Sequence, residues 1–426
     1  MFILEQKIPD INVMDPKRMY GTNAVDYDIR IDFDSLRKKR TNRAIEMMKK
    51  HGLGALLCFT GSKIRYVSGT YAALSKGDAL MLYRYCVLTE DGPVLFETPG
   101  TDFICAKKAA PWVTDIRPAQ VWKTGAGTAK SMMTKKFAQS VIQVLEEHGV
   151  RKEKLGVDEV GAWSAYKALM DEGVEVVDGT PALDDAVIIK FQEELEILKQ
   201  ACAIADAGFD TIERRLRPGI RENELCGACA NTLYSLGSEG FVHMTFASGG
   251  DTNPFRRWGP TDKIIRYGDM VIIDLIHRYN GYWTCFYRNF VCGGKPTKEQ
   301  KQLHQETYDS VYAAIRKIRP GAKTSEIAEV WREKESWESQ DSKLKTVSLM
   351  QFGHGVGTWD HEPPYITLAY SPEHPVEIRK NMYLAIETYA GKWGQREGAR
   401  LEENMAVTDN GVEIYSMYPF PDYFFE

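Results

Sequence analysis

The chain has 426 residues, a length that suits two domains. Its 54 basic and 59 acidic residues leave a net charge of −5, with 43% hydrophobic and 27% charged residues. This is the balance of an ordinary globular chain. It excludes a disordered protein, a collagen-like repeat and a coiled-coil rod, and it offers no basic footprint for nucleic acid. No apolar run approaches the roughly 18 residues that a membrane span needs.

The first thirty residues carry no basic segment followed by a long apolar core, so a secretory signal is not expected. The eight cysteines are too sparse for a disulfide scaffold, and most lie in apolar runs, so the cytoplasm is the expected compartment. Residues 34–57 predict an amphipathic helix running into a strand, with Ala44, Met47 and Met48 at helical spacing and Gly52 and Gly54 closing it. Short apolar runs follow (ALLCF, IRYVSG, YCVLT, PVLFE) and read as strands parted by turn signals. A long helical pattern ends at Gly149, and strand-like runs recur at KLGVDE and at 173–179. This alternation predicts an α/β domain over residues 1–190.

A second domain, 191–426, opens with a long helical pattern drawn from DDAVIIKFQEELEILKQ onward. Helices are then expected at 301–318 and 324–335, with strands from 347 to the end. Cys226 and Cys229 form a CxxC, the spacing of a redox pair or half a zinc site. No second CxxC completes it, and a three-residue spacing also suits the buried face of a helix, which is the expected reading.

The chemistry concentrates in the second half. Asp274 ends the apolar run MVII, Glu387 lies inside YLAIETYAG, and Glu402 follows Leu401 in RLEEN. A carboxylate within an apolar strand is costly to bury alone and is most simply explained by a shared cation. His354 sits between glycines in MQFGHGVGTWDHEPP, which should let backbone approach closely and leave the ring accessible. Asp274, His354, Glu387 and Glu402 together make an oxygen and nitrogen donor set suited to a divalent metal such as Zn, Fe or Mn. Aromatic residues crowd these motifs: Phe255, Trp258, Trp283, Phe286, Tyr287, Trp359, Tyr365, Tyr389 and Trp393. They suit a box for a cationic substrate or, more simply, core packing.

In order and spacing, IID, GYWTCFYRNF, GHGVGTWDHEPP, AIETYAG and RLEEN resemble the creatinase, aminopeptidase P and methionine aminopeptidase superfamily (M24) with its pita-bread catalytic fold. The resemblance implies a creatinase-like N-terminal domain, a C-terminal α+β catalytic domain, a metal held by Asp274, His354, Glu387 and Glu402, and a homodimer. The departures are specific. The family's second aspartate, eleven residues after the first, is replaced by Cys285. Cys285 is then a thiolate ligand, or the site is mononuclear, or it holds no metal, as in creatinases. The upstream histidine expected 17 residues before Asp274 is Arg257, which suggests a charged clamp for a substrate carboxylate, with Trp258 and Trp359 beside it. His361 keeps the second family histidine as a proton donor or oxyanion stabiliser. Asp360, six residues after His354, matches the catalytic base of the dimethylsulfoniopropionate lyase branch, but that branch's further aspartate is here Ile276. The expected function is hydrolysis of a C–N bond in a small polar or cationic, carboxylate-bearing substrate, with His361, Asp360 and Glu387 catalytic. A metal-dependent C–S lyase and a non-catalytic binding module are the alternatives.

Overall fold

The computed structural model describes residues 31–70, 84–120, 126–158, 163–239, 244–256, 259–332, 351–392 and 394–426. The chain divides into two compact units, Met1–Ala186 and Val187–Glu426. Among the described residues, no helix is long and apolar enough to cross a membrane.

The first unit is built on a six-stranded sheet formed by β1 (Ala55–Cys58), β2 (Tyr85–Thr89), β3 (Gly92–Glu97), β4 (Asp115–Pro118), β5 (Leu155–Val157) and β6 (Val176–Asp178), in the order β4-β3-β2-β1-β5-β6. Strand β1 pairs antiparallel with β2 and parallel with β5, so the sheet is mixed. One face packs on the helix Ala129–Glu147 through Phe137, Val141 and Val144, which meet Leu57, Tyr85, Val87 and Phe96 in one buried cluster. The run IRYVSG, read as a strand, lies in the helix Gly61–Ser68. Ile64 and Val67 fall three apart and are both buried, and Gly69, at φ 70°, ends the helix in the left-handed region. The helical period wins because Tyr66 is drawn inward, its hydroxyl donating to Ala186 O at 2.7 Å.

The helix expected from Asp184 onward is interrupted where the second unit begins. One helix spans Thr180–Val187, and a new one, Gln192–Arg215, begins where the Glu194 carboxylate accepts from Phe191 N at 2.6 Å. Cys226 and Cys229 are buried core residues of the helix Glu222–Ser235, as the simpler reading of the CxxC required. Three strands, β7 (Phe246–Ser248), β8 (Met270–Asp274) and β11 (Tyr287–Val291), form one sheet, with a short hairpin of β9 (Arg278–Tyr279) and β10 (Tyr282–Trp283) between β8 and β11. A five-stranded sheet has the order β13-β12-β14-β15-β16: β12 is Gly353–Gly355, β13 Glu362–Ile366, β14 Tyr383–Ala390, β15 Ala399–Val407 and β16 Val412–Ile414. The helix Lys298–Ile315 covers it, with Val311, Ala314 and Ile315 packed on Leu384, Ile386, Leu401 and Met405.

Two of the fully buried histidines in this unit, His277 and His304, are neutral for lack of water. His277 donates from Nε2 to Ala201 O at 2.8 Å, and burial lowers its pKa to about 4. His304 stacks on Phe424 at 4.0 Å, and burial, helped by Arg288, lowers its pKa to about 3. A folded pKa below the unfolded value of 6.5 means that the unfolded chain binds the extra proton. The stability that depends on neutral His277 is intact above pH 6.5 and is lost as pH falls towards 4. The stability advantage of wild type over His277→Gln is therefore expected to shrink by up to about 3 kcal/mol across that window. Urea unfolding of the two proteins at successive pH values reads this difference directly, and a constant gap would contradict it.

Candidate metal centre

Register places the site residues. Within the five-stranded sheet, Glu387 pairs with Glu402 and His354 pairs with Ala385. Side chains two apart on a strand share a face, so His354, Glu387 and Glu402 point the same way. In the smaller sheet Asp274 pairs with Tyr287 at its end. The two sheets are tied where Arg400 N donates to the Asn289 side chain at 3.1 Å and Arg288 donates to Glu402 O at 2.9 Å. All five expected donors are buried: Asp274, Cys285, His354, Glu387 and Glu402 are at most 4% exposed.

The glycines around His354 serve strand packing. A Cβ at Gly353 would stand 2.8 Å from Ala385 O, and one at Gly355 would meet the backbone of Glu362 and Pro363. The expectation of an accessible His354 ring is thus corrected. Close strand approach on both sides encloses it completely, and His361 covers it with a stacked ring at 3.9 Å.

Three donors converge most tightly. Cys285 Sγ, His354 Nε2 and a Glu402 oxygen lie within 4.8 Å of one another. The Cys285 thiol donates to Glu402 Oε2 at 3.7 Å, and His354 Nε2 lies 3.5 Å from Glu402 Oε1. The Nδ1 of His354 is 3.0 Å from Gly355 O, to which it donates, so the lone pair sits on Nε2. That Nε2 and Oδ1 of Asp274 are buried with no hydrogen-bond partner. Orphaned acceptors in a dry cluster are what a cation would satisfy.

The electrostatics agree. Burial, then the charges of Glu402 and Glu387, push the Asp274 carboxyl well up, although Arg400 and a hydrogen bond from Tyr287 oppose this. Burial and the neighbouring Asp274, Glu402 and Glu387 push the Cys285 thiol up as well. Burial lowers His354, partly offset by Glu387. The cluster therefore carries more acid than its one guanidinium balances, and a divalent ion fits it.

At the edge of the cluster lie Asp360 and His361, with side chains 22% and 30% exposed and Asp360 Oδ2 3.2 Å from His361 Nδ1. Burial would raise the Asp360 carboxyl, but the bond from His361 and the charges of His361 and His354 outweigh it and hold the group below its usual range. Trp359, partly buried, packs edge-on against Trp283 at 5.8 Å. Arg257, Trp258 and Trp393 lie outside the described residues. Trp283, Phe286 and Tyr287 are buried, which makes them core rather than walls of a cationic box.

Several contributors escaped the motif reading. Arg400 donates to Glu387 Oε2, and Asn404 clamps Cys285 by accepting from its N at 3.1 Å and donating to its O at 2.6 Å. Both were accessible in principle, since Arg400, Glu402 and Asn404 alternate along β15 and so share one face. Lys190 is the third. It is 2% exposed and donates to Glu362 Oε2 at 2.7 Å, while Thr358 Oγ1 and Trp359 N donate to Glu362 Oε1. This knot fixes the loop that carries Asp360 and His361. Lys190→Met leaves Glu362 buried without its cation, which is expected to cost about 3–5 kcal/mol. Faster hydrogen exchange at the Trp359 amide, with exchange in Ala129–Glu147 unchanged, would locate the effect; uniform acceleration would not support it.

Residues 196–409 match the model of metallopeptidase family M24, and residues 40–186 match that of the creatinase/prolidase N-terminal domain. The chain is 24% identical over 380 residues to a Xaa-Pro dipeptidase of Pyrococcus furiosus, covering 88% of this chain and 97% of the relative. It is 24% identical over 402 residues to a dimethylsulfoniopropionate lyase of Roseovarius nubinhibens, covering 91% and 87%. A solved prolidase from Thermococcus sibiricus superposes with TM-score 0.72 at 20% identity, covering 90% of this chain and 98% of that one. The layout expected from the motifs, a creatinase-like domain followed by a pita-bread domain, is the one these comparisons describe.

Proposed function

The chain belongs to metallopeptidase family M24, and from that membership we propose that it is a metal-dependent hydrolase of a C–N bond in a small, polar, carboxylate-bearing substrate. The observation that carries this reading is the dry cluster of acid and imidazole donors with unsatisfied His354 Nε2 and Asp274 Oδ1, set directly beside the more exposed Asp360–His361 pair. A binding module has no use for such a cluster. A divalent ion of the Zn, Fe or Mn class would be held within the cluster of Asp274, Cys285, His354, Glu387 and Glu402. Such an ion, when bound, supplies Lewis-acid polarisation of water and of the scissile carbonyl.

The remaining roles fall to side chains. Asp360 accepts from His361 Nδ1 and so orients the ring, leaving Nε2 to take up a proton and then donate it to a developing oxyanion or to the leaving nitrogen. Arg257 is proposed to hold the substrate carboxylate, with Trp258 and Trp359 bounding its apolar part. A homodimer in the cytoplasm completes the reading.

A second reading, C–S lyase action, is favoured by one observation: Asp360 is kept anionic beside the His354–His361 stack, as a proton-abstracting base would need. Against it, the buried apolar Ile276 stands where that branch has a further aspartate. Purified protein loaded with Zn, Mn or Fe should be offered Xaa-Pro dipeptides, small betaines and dimethylsulfoniopropionate. Amide hydrolysis that falls about 10-fold in Asp360→Asn and about 100-fold in His361→Ala supports the hydrolase. Release of dimethyl sulfide, abolished by Asp360→Asn, would replace it with the lyase.

A further inference from the structure

We propose that Cys285, His354 and Glu402 form a three-ligand site for a single thiophilic divalent cation of the zinc class, and that Arg400 keeps the Glu387 side of the cluster from taking a second ion. This deepens the metal-dependent reading above and rests on it only for the presence of a metal.

Among the described residues, these three side chains are the group whose donor atoms lie close enough to share an ion. They offer one sulfur, one nitrogen and one oxygen. Three such donors with an open fourth position are the pattern of a catalytic zinc site, whereas an all-oxygen shell would favour Mn or Mg. Each donor is held from behind. Asn404 bonds both the N and the O of Cys285, Gly355 O fixes the His354 ring, and Arg288 donates to the Glu402 carbonyl. Anchoring of this kind orients ligands before the ion arrives. Independent of the cysteine, His354 Nε2 is fully buried, aimed at the cluster and without a hydrogen-bond partner.

The other side is already neutralised. The Arg400 guanidinium, 5% exposed, donates to Glu387 and lies over the Tyr287 ring at 4.6 Å and near Phe255 at 5.4 Å. A guanidinium does not deprotonate in a protein, so a second cation would have to displace a buried charge-assisted bond. In addition, Cys285 provides one donor atom where a carboxylate would provide two for bridging. When the ion binds, the Cys285 S–H bond breaks, a sulfur–metal bond forms and the proton goes to solvent, with no change of oxidation state.

The test uses the full chain, stripped of metal by chelator dialysis, in a Cys105→Ser background that removes the exposed cysteine. Titration with Cd(II) is expected to raise a sulfur-to-metal charge-transfer band that saturates at about one equivalent and is bleached by Zn(II) but not by equimolar Mn(II). Cys285→Ser, with an unchanged circular dichroism spectrum, should lose the band. Arg400→Met should bind about a second equivalent. Saturation of the parent at two equivalents, absence of a band, or a band that survives Cys285→Ser would overturn the proposal. An Arg400→Met protein that stays at one equivalent would remove Arg400's part in it. Because the parent titration needs no site variant, misfolding of a variant cannot mask the answer. A one-equivalent band in a protein that hydrolyses no offered amide would sink the hydrolase reading and leave this site standing.

Discussion

His354→Ala is expected to empty the metal centre and lower turnover by about 1,000-fold or more. Lewis-acid stabilisation by a bound divalent ion contributes several kcal/mol to a transition state, and about 4 kcal/mol corresponds to about three decades of rate. His354 is chosen because its ring is completely buried, its Nδ1 is committed to Gly355 O, and its Nε2 has no partner except whatever the cluster binds. Removing it takes the nitrogen from a set that otherwise consists of carboxylates and one thiol. His361→Ala is the matched control. It strips the stacked outer ring but leaves every donor in place, so metal content should persist while turnover falls by about two decades. Elemental analysis alongside a turnover assay separates the two. A His354→Ala protein that keeps a full complement of metal and near-normal turnover would show that catalysis does not depend on an ion held by His354.

What made the site legible was the cost of burying charge. Asp274, Glu387 and Glu402 each stand in an apolar strand pattern, and that local contradiction can be seen without a fold. Register then does what spacing alone cannot: it is the pairing of Glu387 with Glu402 and of His354 with Ala385 that puts the three on one face. Other features were invisible for identifiable reasons. Lys190 sits in an apolar run, but its partner Glu362 is 172 positions away, and no pattern in one sequence links the two. Arg400 was hidden in plain sight two residues before Glu402, because a surface-type residue in a strand is usually read as an edge. In the sequence, the glycines beside His354 suggest an exposed ring, and only the neighbouring strands reveal that they enclose it. In the first unit the alternation of helices and strands was legible, whereas Gly61–Ser68 was not, since a run of eight with few breakers fits either period.

A large stability loss is expected from Arg288→Met. Arg288 is 1% exposed and makes five hydrogen bonds: from Nε to Tyr418 O at 2.9 Å, from Nη1 to Tyr287 O and Glu402 O, and from Nη2 to Glu403 Oε2 and Ser416 O. Its guanidinium also lies over Phe420 at 4.6 Å. One side chain thus joins β11, β15 and the segment after β16. Methionine fills a similar volume but strands four carbonyls and leaves Glu403, itself 2% exposed, charged without its cation; Tyr312 and Ser416 hydroxyls remain its donors. Breaking a buried pair in this way costs about 3–5 kcal/mol, which for a unit of this size lowers the melting temperature by roughly 10 °C. Adding Glu403→Gln removes the uncompensated charge but not the stranded carbonyls, so the double variant should recover part of the loss and not all of it. The same change should reach the metal centre. Arg288 bonds the backbone of both Tyr287 and Glu402, which flank Asp274 and Cys285. Metal affinity is therefore expected to fall in the single variant even at temperatures where it remains folded. Calorimetric melts with and without added Zn(II) measure both effects. A melting temperature within about 2 °C of wild type would mean that the carbonyls find other donors and that the two sheets do not depend on this residue for their alignment.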